Sequence, residues 1–204
     1  WTFNVSTATA IVVAACGVPV AKHGNRAVTS KSGAADILAA LGVNLDADFE
    51  LVERALAEAN ICFMLAPRHH SAMRNVMGPR VELGTRTIFN LLGPLTNPAS
   101  AQTQLLGVAN PAIGEKIAQV LDRLGAQRIW VVHGEEGLDE VSISGPTKIW
   151  ELSNGQVRTF TITPEEAGLP RSPFESILGG SKEENARLLR QVLQGVQGPM
   201  HDFV

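Results

Sequence analysis

Cysteine is scarce in this sequence: two thiols, Cys16 and Cys62, in 204 residues are too few for a disulfide scaffold, and no histidine cluster stands near either with zinc spacing. Both lie in apolar runs and read as buried, reduced core residues. Long apolar stretches are lacking too. No run reaches the roughly 18 residues that a membrane span requires, and no charged-then-apolar leader precedes a cleavage site, so the chain reads as cytoplasmic with no membrane partner. Positive charge is not in excess: 17 Lys plus Arg stand against 20 Asp plus Glu, a formal net charge of −3. That leaves no global basic footprint for nucleic acid, and any anion must be bound locally. Also absent are a Walker loop, a dinucleotide fingerprint, a nucleophile elbow, a paired-histidine zinc helix, internal repeats and low-complexity linkers.

What is present is a core-rich composition, 45% hydrophobic and 18% charged, of a length that fits one domain and falls short of two ordinary ones. Ser6 and Thr7 precede the apolar run 8–15, closed by Gly17 and Pro19, which predicts a helix with a hydroxyl N-cap. The stretch 18–21 reads as a short buried strand ending in the polar run Lys22-His23-Gly24-Asn25-Arg26, the strand-then-glycine-loop order in which α/β proteins keep ligands. A helix over 33–41 stops at Gly42, Asp46 or Asp48 caps another through Ala59, and 61–65 is an apolar run of strand length. From Pro67 to Pro98 the pattern is irregular, broken at Pro79, Gly84, Gly93-Pro94 and Asn97-Pro98, and looks like an excursion from the sheet. A strand over 104–109, a helix from Asn110-Pro111 to Gly125 and a strand over 128–133 follow. The segments 147–152 and 156–162 flank the hairpin signal Asn154-Gly155, and 181–193 is the last helix. This alternation predicts an α/β fold with a largely parallel central sheet flanked by helices.

Four polar segments carry the chemistry. Thr2-Phe3-Asn4-Val5-Ser6-Thr7 offers hydroxyls, an amide and backbone N–H groups at a helix start, the equipment for holding phosphate oxygens; by itself it reads first as an ordinary helix cap. Lys22 to Arg26, followed by Thr29, Ser30 and Ser32, gathers two cations, an imidazole, an amide and three hydroxyls within eleven residues, richer in phosphate-binding groups than a plain surface turn. Arg68, Arg74, Arg80 and Arg86 recur every six residues. A step of six turns roughly 240° about a helix, so they cannot line one helical face; one or two remain available to a carboxylate ligand. Finally, His133-Gly134-Glu135-Glu136-Gly137-Leu138-Asp139-Glu140 places four carboxylates in a glycine-punctuated loop. Taken singly this is a solvated acidic loop; beside a phosphate site it offers hard oxygen ligands for Mg²⁺.

In this order and spacing, Thr2 to Thr7, Lys22 to Arg26, Arg80 with Gly84-Thr85-Arg86-Thr87-Ile88-Phe89-Asn90-Leu91-Leu92-Gly93-Pro94-Leu95-Thr96-Asn97-Pro98, and Val132-His133-Gly134 through Leu138-Asp139-Glu140 closely resemble the anthranilate phosphoribosyltransferase family, within the nucleoside phosphorylase/phosphoribosyltransferase superfamily. The resemblance spans nearly the whole chain. It implies the catalytic α/β domain of that family and its step in tryptophan biosynthesis: transfer of the phosphoribosyl group from phosphoribosyl pyrophosphate to the amine of anthranilate, with release of pyrophosphate. It further implies Mg²⁺ as cofactor, the two substrates as partners without nucleic acid or membrane, and a cytoplasmic homodimer.

By the same resemblance, phosphoribosyl pyrophosphate would be held by Thr2, Asn4, Val5, Ser6 and Thr7, by Lys22, His23, Gly24, Asn25, Arg26, Ala27, Val28, Thr29 and Ser30, and by Ala34. Ser6, Asp139 and Glu140 would hold the metal. Asn25, Arg80 and His23 would position the acceptor, Arg80 meeting its carboxylate, and no residue is assigned as acid or base. Breaking the bond from ribose C1 to pyrophosphate builds positive charge on the sugar and negative charge on the leaving group, which metal and phosphate donors stabilise without a nucleophilic side chain. The family's Gly-Thr-Gly-Gly-Asp loop, its N-terminal helical region and its C-terminal continuation are not in this sequence. The resemblance therefore implies one incomplete catalytic domain over 1–204, truncated at both ends, with activity that the fragment alone need not retain. Its excursion 67–98 would pack on the missing N-terminal helical domain and leave Ile88, Phe89, Leu91 and Leu92 as an exposed apolar patch. Two other readings share the architecture. A pyrimidine nucleoside phosphorylase should carry a lysine-serine-glycine signature where Lys22-His23-Gly24-Asn25 stands, and a nucleic-acid-binding paralogue should carry a basic groove.

Overall fold

The computed structural model describes residues 2–26, 33–85 and 87–204, apart from the side chains at 74, 77, 80, 81 and 90. In chain order its elements are α1 (Val5–Ala15), β1 (Val20–Gly24), α2 (Ala34–Ala40), α3 (Phe49–Ala59), β2 (Ile61–Leu65), α4 (Ala66–His69), α5 (Arg74–Leu83), α6 (Phe89–Leu92), β3 (Thr103–Gly107), α7 (Gly114–Arg123), β4 (Arg128–Gly134), β5 (Thr147–Ser153), β6 (Gln156–Ile162), α8 (Lys182–Leu193) and α9 (Pro199–Asp202). They fall into two compact units, Trp1–Ala99 with Leu178–Val196 and Val204, and Ser100–Ile177 with Gln197–Phe203.

In the first unit, β1 and β2 pair in parallel, from Val20 opposite Ile61 to Gly24 opposite Leu65. The strand expected over 18–21 is thus displaced. Pro19 has no N–H to give a ladder, Val20 N–H donates to Asn60 C=O at 2.8 Å, and the pairing carries the strand on through Lys22 and His23. Their side chains consequently leave opposite faces of β1. Helix α1 also starts earlier than expected. Asn4, not a hydroxyl residue, is its N-cap: the Asn4 carbonyl accepts from Thr7 and Ala8 N–H at 3.2 and 3.3 Å, which places Ser6 and Thr7 inside the first turn.

Of the two aspartates expected to cap α3, Asp48 does so, accepting from Leu51 N–H at 2.8 Å. Ser181 caps α8 in the same way, from Glu184 N–H at 3.2 Å, with Glu183 and Glu184 complementing the helix dipole. Helix α2 packs on α8, and Ala35, Leu38, Leu45 and Leu65 form a buried cluster against which Phe63 leans. Cys62 is buried as expected, whereas Cys16, just past the last turn of α1 where the chain reverses at Gly17, is exposed. Of the arginines of the six-residue series, Arg68 lies on α4 and Arg74 and Arg80 lie on α5, while Arg86 is outside the described residues. Ile88 and Leu91 are exposed, while Phe89 and Leu92 are half-buried.

The second unit is a four-stranded sheet of order β3-β4-β5-β6. Its first pair, linked through α7, is parallel, and the pairs β4–β5 and β5–β6 are antiparallel. The α/β class holds, but the sheet is mixed, because the hairpin returns the chain beside β4 instead of crossing over. At its tip Asn154 and Gly155 both take left-handed backbone, φ 52° and 71°, the combination a two-residue turn needs to match strand twist. Helix α7 buries Ile117, Ala118 and Leu121 against β4 and β5, a contribution of about 1.5–3 kcal/mol for each large side chain. Glu151 of β5 is buried between cross-strand neighbours: Trp130 Nε1 donates to its Oε1 at 2.8 Å, and Arg158 Nε donates to Oε2. The Arg158 and Trp130 donors hold this carboxyl below its usual range.

Candidate functional site

The first unit brings the start of α1 to the end of β1. Thr7 is buried, and its hydroxyl donates to Asn4 Oδ1. Val5 is buried as well, with its N–H donating to Phe3 C=O at 2.7 Å. Ser6 is exposed, and Lys22 Nζ reaches its hydroxyl at 3.2 Å. A hydroxyl and an ammonium thus converge beside the positive end of an eleven-residue helix, a combination that attracts an anion. This segment is held in place from far along the chain. Thr2 forms an isolated bridge with Leu178. Gly179 lies so close to Phe3 that a Cβ there would stand 2.8 Å from its Cα and 2.9 Å from its N. Asn185 pins the adjoining Gly180, accepting from its N–H at 2.9 Å and donating to its C=O at 3.3 Å.

Further along, Asn25 is exposed. Its side-chain oxygen accepts from Arg26 N–H at 2.8 Å and its carbonyl from Ala35 N–H at 3.3 Å, which ties the loop to the first turn of α2, where Ala34 sits. Arg26 Nη1 lies 3.7 Å from Asp36 Oδ1, and Asp36 caps α2 by accepting from Gly33 N–H. The expected ligands Ala27, Val28, Thr29 and Ser30, and the side chain of Arg80, lie outside the described residues.

His23 meets a residue that the sequence did not single out. Its Nε2 is 3.1 Å from His70 Nε2, with the rings edge to face at 4.9 Å and 75°. Burial and the neighbouring His70 lower the His23 pKa from 6.5, so the imidazole is neutral at pH 7 and orients by hydrogen bonding. Burial, His70 and Arg68 lower the pKa of His69 too, and Arg68 lies 5.6 Å over the Phe49 ring. In sequence, His69-His70 stood only as the start of an irregular excursion, and nothing local marked either residue. The end of that excursion returns to the same strand, Asn97 Nδ2 donating to the Ala21 carbonyl at 3.0 Å.

The second unit presents the acidic loop after β4. His133 is buried, and its Nδ1–H donates to Val108 C=O at 2.8 Å. The loop doubles back at once: Gly134 N–H donates to Leu138 C=O at 2.8 Å, and Glu135 N–H to Pro146 C=O at 3.0 Å. Leu138 is buried, Asp139 is exposed and Glu140 is half-buried. Behind Asp139, its carbonyl oxygen is so near β3 that a Cβ on Gly107 would stand 1.6 Å from it. The described residues contain no group of three His, Cys, Asp or Glu that could cage a metal. Adjacent carboxylates such as Asp139 and Glu140 are of the oxygen-donor type that suits Mg²⁺, which keeps several waters and completes its shell with phosphate oxygens.

The chain belongs to the glycosyl transferase family, a/b domain, whose sequence profile matches residues 1–204. It is similar to the anthranilate phosphoribosyltransferase of Rhodospirillum rubrum, 61% identical over 203 residues that cover 100% of this chain and 58% of that protein. It is also similar to that of Rhodopseudomonas palustris strain HaA2, 60% identical over 98% of this chain and 59% of the relative. Among solved structures, anthranilate phosphoribosyltransferase from Thermus thermophilus superposes with a TM-score of 0.92 at 50% identity, covering 99% of this chain and 60% of that one. The Saccharomyces cerevisiae enzyme in complex with phosphoribosyl pyrophosphate and Mg superposes at 0.88 and 33% identity, over 99% of this chain and 57% of that one. The chain thus spans just under three-fifths of the length of the first of these relatives. Among the described residues, no helix is long and apolar enough to cross a membrane.

Proposed function

We propose that the protein containing this chain transfers the phosphoribosyl group of phosphoribosyl pyrophosphate to the amine of anthranilate in tryptophan biosynthesis. The observation that carries this reading is the anion-attracting pair that Lys22 of β1 makes with Ser6 at the start of α1, 3.2 Å apart, with the next residue of the strand, His23, held 3.1 Å from His70. The similarity to relatives of that name, and to a yeast relative solved with phosphoribosyl pyrophosphate and Mg, supports it. In this reading the Thr2–Thr7 segment and the run from Lys22 to Ser30, with Ala34, hold the donor. Asn25, His23 and Arg80 position the acceptor, Arg80 pairing with its carboxylate in the bidentate geometry that guanidinium and carboxylate share. Ser6, Asp139 and Glu140 are the residues that would hold Mg²⁺, which when bound neutralises charge on the leaving pyrophosphate. The chain's own contribution is orientation: the amine need only be placed in line with ribose C1, and fixing two reactants supplies much of the barrier reduction.

Residues 1–204 form part of a single catalytic domain in this reading. The excursion 67–98, with Ile88 and Leu91 outward, faces an N-terminal helical domain and the second subunit of a cytoplasmic homodimer, and neither nucleic acid nor membrane is a partner.

Calorimetric titration of the native full-length protein with phosphoribosyl pyrophosphate, with and without Mg²⁺, followed by a fluorescence assay for anthranilate consumption, tests the reading. Mg²⁺-dependent donor binding and turnover are expected; a folded protein that binds no donor in either condition sinks it. The Arg80→Ala variant should raise the KM of anthranilate far more than that of the donor, and equal effects on both would remove the assignment.

A further inference from the structure

We propose that Glu136 is not a ligand of the acidic loop but its positioning residue: its carboxylate latches Ser142 and thereby sets the aim of Asp139 and Glu140. The inference rests on the reading of those two carboxylates as the Mg²⁺ pair. In sequence the four acids of the loop are equivalent candidates, and the fold separates them.

Ser142 is buried at 3% exposure. Its Oγ accepts two backbone donors, Ser144 N–H at 2.9 Å and Gly145 N–H at 3.1 Å. A serine hydroxyl has two lone pairs and one proton; both lone pairs are engaged, and the proton goes to Glu136 Oε1. Ser142 N–H in turn donates to Thr147 Oγ1 at 2.8 Å, and Thr147, buried, is the first residue of β5, opposite Gly134 of β4 and Ile162 of β6. The Glu136 carboxylate is therefore wired through Ser142 to the sheet itself.

The latch lies directly over the point where the loop leaves β4. A Cβ on Gly134 would stand 2.9 Å from Glu136 Oε2 and 3.2 Å from Ser142 Cβ. On the other side, Gly134 N–H holds Leu138 C=O at 2.8 Å and Gly137 N–H holds Gly134 C=O at 2.9 Å. Both flanks of the carboxylate pair are thus tied down, Leu138 to Gly134 and Ser142 to Glu136. Asp139, Glu140 and Val141 are all that spans the gap, and so short a span has little freedom to turn its side chains elsewhere. Glu136 itself faces Ser142 and lies where its oxygen is already bonded. Removing an outer partner that orients metal ligands in this way commonly costs about 10–100-fold in metal affinity.

The two roles make different demands at position 136. A ligand needs the negative charge, whereas a latch needs only an acceptor oxygen, which glutamine retains. The test is a Mn²⁺ titration read by electron paramagnetic resonance on the native full-length protein saturated with phosphoribosyl pyrophosphate, since Mn²⁺ shares the oxygen-ligand preference of Mg²⁺. Thermal unfolding is followed in parallel. Glu136→Ala and Ser142→Ala should each weaken Mn²⁺ binding about 10-fold or more, with Glu136→Gln remaining within about twofold of the wild type. Asp139→Asn and Glu140→Gln should lose most of it. If Glu136→Gln is as damaging as Asp139→Asn, Glu136 is a ligand and the proposal is overturned. Wild-type binding by Glu136→Ala also overturns it, and because that side chain is exposed the variant remains interpretable even where Ser142→Ala fails to fold. Wild-type binding by Asp139→Asn and Glu140→Gln would instead defeat the assignment of the metal pair, a result distinct from failure of the latch.

Discussion

Replacing Gly107 with alanine offers the most direct test of how the fold aims the acidic loop. The added methyl would lie 1.6 Å from the Asp139 carbonyl oxygen and 2.4 Å from its carbon, whereas non-bonded carbon contacts settle at about 3.5–4.0 Å. Neither side can give by rotating a side chain. Gly107 is the last residue of β3, paired with Val132, and its opponent is main chain, so strand and loop must part by roughly an ångström or more. Overpacking of this kind costs about 1–3 kcal/mol, and contact with backbone on both sides places the variant near the upper end. For a folded chain of this length each kcal/mol lowers Tm by about 2–4 °C, so calorimetry of the chain should record a fall of roughly 6–12 °C. The same displacement carries Asp139 away from its position, and in the function proposed above the Mg²⁺ concentration for half-maximal anthranilate consumption should rise about 10-fold. A Tm within about 1 °C of wild type would refute the close approach. A lowered Tm with an unchanged Mg²⁺ response would show that the approach is real but does not set the carboxylate geometry.

Gly179→Ala, which would put a Cβ 2.8 Å from Phe3 Cα, should raise the KM for phosphoribosyl pyrophosphate more than that for anthranilate, because it displaces the Thr2–Ser6 segment; steady-state kinetics with each substrate varied will show equal increases if the reasoning is wrong. Glu151→Ala leaves the Trp130 indole N–H without its acceptor and should cost about 1–3 kcal/mol in urea unfolding, and a loss below half a kcal/mol would mean that water replaces the carboxylate. For His23, burial and His70 lower the folded pKa from 6.5, so as pH falls the unfolded chain takes up the proton first. This contribution to stability is complete above about pH 6.5 and is lost as pH falls from there to the folded value. His70→Ala should return the His23 titration, followed by NMR, toward 6.5, and an unmoved or lower pKa would contradict the stated causes.

Much of this architecture is local and could be read along the chain. The hairpin at Asn154-Gly155 forms where expected because both residues accept left-handed backbone. The helix starts at Asp48 and Ser181 coincide with side chains that accept the first free N–H groups, and β2 occupies the predicted apolar run residue for residue. The errors fall where a distant partner overrides local preference. β1 runs into a polar segment because β2 pairs with it to Gly24; the early start of α1 is the local exception, since the neighbouring Asn4 carbonyl collects the first helical bonds. The antiparallel half of the sheet was present as the hairpin, but its place beside β4 depends on pairing across the loop from Gly134 to Thr147.

The candidate site divides the same way. By itself the sequence determined which chemistry was on offer, since hydroxyls, cations, imidazole and carboxylates in short polar runs state their functional groups without reference to a fold. Only the tertiary structure decided which of them meet. His70 reaches His23 across 47 residues, Gly179 and Asn185 brace a segment near the opposite end of the chain, and Glu136 accepts the Ser142 hydroxyl. The reason is physical. A local pattern records the conformational preference of a few neighbouring residues, whereas a hydrogen bond or a close approach between remote segments exists only after the core has packed and brought them within a few ångströms.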